Sequence, residues 1–284
     1  MKYRAMQRYS SDFDVSKMCQ LLEVSRSGYY ASLRRPESQR SKRQKEVLEQ
    51  IKVIHKDNHF IYGSPSITRE LNNRGTKASK GMVSRLMRKN GIRSKIVKKY
   101  RATTDSNHNL PVAENLLDRN FKANRRNEKW VSDITYIPTG EGWLYLAGIL
   151  DLYDGGIVGW SMGSRITQSL VIDALNEGCR RRDFQPGLLL HSDRGSQYCS
   201  KDYQKELSRR HIVCSMSRRG NCWDNAPMES FWGKLKTEWL NDKVFRTRAE
   251  ARHAVFEYIE LFYNIRRLRS VNGYIPPLKM PDAA

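Results

Sequence analysis

From residue 130 onward the chain changes period, and that change constrains its fold more than any other feature. Residues 130–137 alternate apolar and polar side chains as a strand does. Residues 143–152 and 157–162 form a strand pair around Asp154-Gly155-Gly156. Residues 168–181 have helical spacing, 188–191 read as a short buried strand, 201–210 as a helix and 212–216 as a strand. A long helix is expected over 224–239 and another over 247–263. The order of strands and helices predicts an α/β core with a mixed five-stranded sheet whose first strand is central.

Acidic residues fall at informative places in this order. Asp133 lies in Lys129-Trp130-Val131-Ser132-Asp133-Ile134-Thr135-Tyr136, on the first strand. Asp193 ends the fourth strand, in His191-Ser192-Asp193-Arg194-Gly195-Ser196-Gln197-Tyr198. Glu229 follows Asp224-Asn225-Ala226-Pro227-Met228, with 35 residues between Asp193 and itself. The first and fourth strands bring the aspartates together. Asp224 is expected to cap the long helix, Pro227 is tolerated in its first turn, and Glu229 turns back toward the sheet. Gathered carboxylates supply the hard oxygen ligands that Mg²⁺ prefers, with Mn²⁺ as a substitute. Two such ions, roughly 3.5–4 Å apart, catalyse in-line phosphoryl transfer. Ser132, His191 and Ser192 raise the idea of a hydrolase triad, but no GxSxG elbow surrounds them. His191 is expected to orient the Asp193 turn, and Gly195 to supply a backbone conformation closed to other residues. Asn225 has three readings: a bond to DNA, a bond to the Asp193 loop, or an ordinary polar residue in the first turn of the helix.

Ahead of the sheet the chain is helical and basic. Of 51 Lys+Arg and 30 Asp+Glu in 284 residues, 24 basic and 8 acidic residues fall in the first hundred, so most of the net charge of +21 is there. That asymmetry points to a DNA-gripping front end. Residues 1–38 hold a short helix-turn-helix-like segment, with Ser25 as a helix cap and Arg26 after it as a DNA contact. Residues 39–92 hold a charged helix over 40–57 and a second helix-turn-helix. There Ser64 or Ser66 caps one helix and Ser79 the next, whose Lys80, Arg85, Arg88 and Lys89 face outward as DNA contacts. Residues 93–125 read as a basic linker or DNA-tracking arm, 126–240 as the core and 241–284 as a C-terminal helix and tail. Arg218 and Arg219 belong to a loop ahead of the Glu229 helix, placed to touch DNA.

No apolar run approaches the roughly 20 residues of a membrane helix, and no signal-peptide core opens the chain. A cytoplasmic, nucleoid-associated protein is expected. Cys19, Cys179, Cys199, Cys214 and Cys222 are scattered and odd in number, which suits reduced thiols rather than disulfides or zinc.

The motifs Asp133-Ile134-Thr135-Tyr136, Gly142-Trp143-Leu144-Tyr145-Leu146, His191 through Tyr198 and Asp224 through Ser230 resemble the second-reading-frame product of the insertion-sequence-3 family of bacterial transposases. The tail Tyr263-Asn264, Arg266-Arg267, Gly273-Tyr274 and Pro276-Pro277 also fits, although Arg269-Ser270 stands where the family usually has His-Ser. The resemblance implies a ribonuclease-H-like, integrase-type core whose Asp133, Asp193 and Glu229 are the catalytic, metal-binding triad. It also implies a basic DNA neighbour at Lys236, two helical turns beyond Glu229. The implied activity is cleavage and strand transfer at terminal inverted repeats and target DNA. A homo-oligomer on DNA, and fusion to an upstream-frame DNA-binding product, are further implications. A DNA-binding regulator without catalysis, and a ribonuclease-H-like nuclease that never joins strands, stay open as alternatives.

Overall fold

The computed structural model describes residues 2–34, 36, 38–95, 111–218 and 221–282. Arg219 and residues 96–110 of the expected linker lie outside them. Helices α1 (Lys2–Arg8), α2 (Val15–Leu21) and α3 (Arg26–Arg34) enclose a small core of Met6, Cys19 and Tyr29. The first of them was not legible from its spacing. Asp14 caps α2 by accepting from the Ser16 and Lys17 amides, and the Ser25 hydroxyl accepts from the Gly28 amide at 3.0 Å.

Next come α4 (Gln39–Asp57), α5 (Ser64–Asn73) and α6 (Lys80–Lys89). Ser38 caps α4 and Ser79 caps α6, whereas neither Ser64 nor Ser66 caps α5. Gly63 holds that cap position without a side-chain bond, and Pro65 sits in the first turn, where a missing N–H costs nothing. Gly75, at φ +83°, takes the left-handed turn that separates α5 from α6. Val83, Leu86 and Met87 of α6 are buried, while Arg26, Lys80, Arg85, Arg88 and Lys89 are exposed.

The sheet follows: β1 (Lys129–Thr139), β2 (Gly142–Asp151), β3 (Ile157–Gly163), then α7 (Gln168–Arg181), β4 (Leu189–Ser192), α8 (Lys201–Arg209) and β5 (Val213–Met216). Spatial order is β3-β2-β1-β4-β5, antiparallel among the first three and parallel from β1 to β5. This is the expected ribonuclease-H-like order, with β1 central. Alternation along the strands sends Trp130, Ala147, Ile149 and Leu190 to the face covered by α7 and α8. Val131, Leu144, Leu146 and Leu150 go to the other face, where α9 (Ala226–Leu235) and α10 (Arg248–Phe256) lie. Val47, Ile51, Ile67 and Leu71 of α4 and α5 join that second cluster, so α4–α6 share a core with the sheet while α1–α3 keep their own.

Two expected helices are interrupted. A 3-10 turn over Cys222–Asn225 precedes α9, a π turn over Lys236–Leu240 follows it, and a π segment over Glu257–Tyr263 continues α10. Glu238, Trp239 and Leu240 are buried in succession, which one stripe of an α-helix cannot achieve. Within residues 111–125, expected as part of a linker or DNA-tracking arm, residues 114–117 contact β5: the Ser215 hydroxyl accepts from the Leu116 and Leu117 amides, and Leu117 is buried. The backbone groups of that stretch needed partners, and the open edge of β5 supplies some of them. Among the described residues, no helix is long and apolar enough to cross a membrane.

Candidate active site

Strand register assembles the aspartates. β1 and β4 run parallel with Val131 opposite His191, so continuing the ladder by two residues sets Asp133 beside Asp193 on the same face. Asp193 lies just past the last residue of β4, and its Oδ1 accepts from the Gly195 amide at 2.8 Å. Burial, then the Asp193 charge and more weakly the Glu229 charge, push the Asp133 carboxyl up to about 8. Glu229 sits in the first turn of α9, half-buried, and burial raises its carboxyl as well. The aspartates are therefore paired and Glu229 flanks them. Among the described residues no group of three or more His, Cys, Asp or Glu side chains is gathered to hold a metal.

The neighbours of Asp133 fix it from several sides. The Trp232 indole N–H donates to Asp133 Oδ2 at 3.0 Å from one turn beyond Glu229. Gly148 stands opposite Asp133 in the β1–β2 register, where a Cβ would lie 2.7 Å from Trp232 Cη2. A missing side chain in mid-strand thus lets the indole cross β2 and reach the carboxylate. The Asn225 side-chain amide donates to the Ser132 carbonyl at 2.9 Å, and the Ser132 and Tyr198 hydroxyls are 2.9 Å apart beneath the pair. Tyr198 is fully buried, and its hydroxyl is pushed up by burial and by both aspartates.

Several expectations change here. Asn225 is buried and its amide is spent on β1, so it ties the start of α9 to the Asp133 strand; it reaches neither solvent nor the Asp193 loop. Asp224 does not cap the helix. Its buried carboxylate accepts from the Arg218 amide and guanidinium, from Arg119 and from Asn115, and it is held far below the usual carboxylate range. Arg218 is correspondingly committed to Asp224 and Asp118, so a DNA contact through it requires breaking that pair. The His191 ring nitrogens meet the Ser215 and Ser217 hydroxyls at 2.8 and 3.1 Å, and burial pulls the imidazole down to about 4. His191 therefore clamps β5 to β4 and has no nitrogen left for a reacting proton. Gly195 does not adopt positive φ. Its requirement is space, since a Cβ would lie 2.6 Å from Gln197 Oε1 and 3.0 Å from Asp193 Oδ1. The Lys236 ammonium lies 4.9 Å from the centre of the Tyr136 ring, turned toward β1, and burial lowers its pKa.

Trp232, Tyr198 and Asn115 were missed as site residues. Only Trp232 left a trace, through Gly148 interrupting the apolar run of β2. Replacing Trp232 by Phe keeps a large ring and deletes the donor to Asp133. Cleavage is expected to fall by about tenfold to a hundredfold, as for other partners that orient metal ligands. The divalent-cation concentration for half-maximal activity should rise, with DNA affinity unchanged. Equal cation dependence in wild-type and Trp232→Phe protein would contradict the positioning role.

Models of the integrase core domain match residues 123–222 and 210–277, and a model of an HTH-like domain matches residues 42–100. Fold and site together define an integrase-type core joined to a helix-turn-helix-like region. An uncharacterized 31 kDa protein of insertion element IS600 from Shigella sonnei is 46% identical, over 92% of this chain and 96% of its own length. The transposase InsF for insertion sequence IS3A from Escherichia coli (strain K12) is 39% identical, over 98% and 97%. The chain belongs to the insertion-sequence-3 family of transposases. Among solved structures, a simian T-cell lymphotropic virus intasome in complex with PP2A regulatory subunit B56 gamma is 16% identical, with a TM-score of 0.48 over 81% of this chain and 73% of that one.

Proposed function

We propose that this chain cuts and joins DNA strands at the ends of its insertion sequence, with Asp133, Asp193 and Glu229 as the catalytic set. The observation that carries the reading is the Asp133–Asp193 pair, two half-buried carboxylates side by side, one within β1 and one just past the end of its parallel neighbour β4. The donor set is oxygen-only and its mutual repulsion is relieved by positive charge, so it fits hard divalent cations such as Mg²⁺. When bound, two such ions would neutralise the attacking and leaving oxygens of phosphoryl transfer. Asp133 and Asp193 would hold such ions, and a rotation of the Glu229 side chain would bring it to join them. Trp232 holds Asp133 through Oδ2. Asn225 and Tyr198 fix the β1 backbone and the floor beneath it.

Within this reading, residues 1–38 and 39–92 grip DNA through exposed Arg26, Lys80, Arg85, Arg88 and Lys89, and residues 126–240 carry the chemistry. Lys236 approaches the DNA backbone beside the site, and Arg219, outside the described residues, is a further DNA contact. The working form is a homo-oligomer on the terminal repeats and target DNA, in the bacterial cytoplasm and on the nucleoid, acting with or fused to the upstream-frame product.

The test is incubation of the protein with a labelled duplex carrying the terminal repeat, with and without Mg²⁺ or Mn²⁺. Cation-dependent nicks together with joined products are expected. Nicks without joined products would replace the transposase reading with a nuclease. A band shift without cleavage, in the fused form as well, would leave a binding regulator.

A further inference from the structure

A second site lies around the corner of α9 from Glu229. Pro227, Ser230 and Lys234 follow helical spacing and form a stripe beside the Glu229 stripe. They line one wall of a cleft of about 420 Å³ whose other walls are Pro65 and Ser66 at the start of α5 and the tail around Arg267, Arg269 and Ser270. No carboxylate lines it. Arg267 is neutralised by Glu238, with which it forms a buried ion pair. Lys234 and Arg269 have no acidic partner among the described residues: the Lys234 ammonium bonds the Ser230 hydroxyl at 2.8 Å, and Arg269 donates to the Asp154 carbonyl at 2.9 Å. Burial first, and then the positive charges of Arg267 and Arg269, pull Lys234 down to about 8 against a weaker attraction from Glu238. A cleft that holds uncompensated cations beside hydroxyl donors is complementary to an anion.

We infer that this cleft binds a phosphodiester of the DNA backbone, with Lys234 and Arg269 as its cations and Ser66 and Ser230 as hydroxyl donors. The inference rests on the proposed function, and it adds a contact at which the helical front end, the Glu229 helix and the tail meet one strand. Ser230, which lines the cleft, directly follows Glu229 in α9. A phosphate here therefore sets the register of the strand relative to the carboxylates rather than reading bases.

Lys234→Gln tests it with the full-length protein and a duplex carrying the terminal repeat. One lost phosphate contact should weaken binding by about fivefold and lower the slope of log affinity against log salt by about 1. Lys234→Arg should retain both. The melting temperature of Lys234→Gln should equal or exceed that of wild type, because the change relieves repulsion with Arg267 and Arg269; a purely structural lysine would lower it. Wild-type affinity and salt slope in Lys234→Gln would overturn the inference. Inorganic phosphate that raises the melting temperature of wild type but not of Lys234→Gln, with DNA binding unaltered, would assign the cleft to a free anion and overturn it equally. Wild-type protein that fails to bind the duplex at all would overturn the functional reading and this site with it, and it is told apart because wild type itself is then silent.

Discussion

Asp193→Asn is expected to lower strand cleavage by about a thousandfold or more, equivalent to ~4 kcal/mol of transition-state stabilisation. The substitution is nearly isosteric and leaves the bond from the Gly195 amide an oxygen acceptor at the same position. What it removes is charge: one of two paired carboxylates becomes neutral, and an amide is a much poorer ligand for a hard cation. Folding should not suffer. Asp133 is strained upward by burial and next by the Asp193 charge, so neutralising Asp193 relaxes its partner. The expected signature is therefore an inactive protein whose melting temperature is unchanged or higher and whose DNA affinity is intact. Residual cleavage near the wild-type rate would remove Asp193 from the catalytic set.

The largest effect on stability should come from Glu238→Ala. Glu238 is buried in the π turn after α9, where it accepts from the Tyr258 hydroxyl at 2.7 Å and from the Arg267 guanidinium. Arg267 is itself largely buried, with 14% of its side chain exposed, and its charge is strongly favoured by that carboxylate. Deleting the acid leaves a buried guanidinium unpaired beside Lys234, a change that costs about 3–5 kcal/mol. At 2–4 °C for each kcal/mol in a chain of this size, the melting temperature should drop by roughly 10 °C. Glu238→Gln, which keeps an acceptor for Tyr258, should fall between the two. A loss of only a degree or so in Glu238→Ala would show that the tail is not anchored through this pair.

The two predictions mark where the sequence was legible and where it was not. Asp193 was legible because its placement is local: a short apolar strand, a polar turn and a register that follows from the strand order. Glu229 was legible by the same logic, since Pro227 announces a first turn and the acid follows two residues later. Glu238 was invisible, because its partners Tyr258 and Arg267 are remote in sequence and its burial depends on a π turn that periodicity does not report. Asp224 misled for a related reason. An acid just before a helix reads as a cap, but buried beside Arg218 and Arg119 it satisfies guanidinium groups in preference to helix amides. Residues 111–125 read as a linker because their polar composition hid the few contacts, centred on Leu117 and Ser215, that set residues 114–117 against β5.

The most direct test of the central claim is the location of a divalent cation in crystals grown with Mn²⁺, by its anomalous scattering. The account predicts scattering peaks within about 2.2 Å of carboxylate oxygens of Asp133 and Asp193, with the Glu229 side chain rotated to join them. Those peaks should be absent from Asp193→Asn crystals prepared the same way. Manganese bound elsewhere on the protein, with the Asp133–Asp193 pair left unligated at saturating metal, would contradict it.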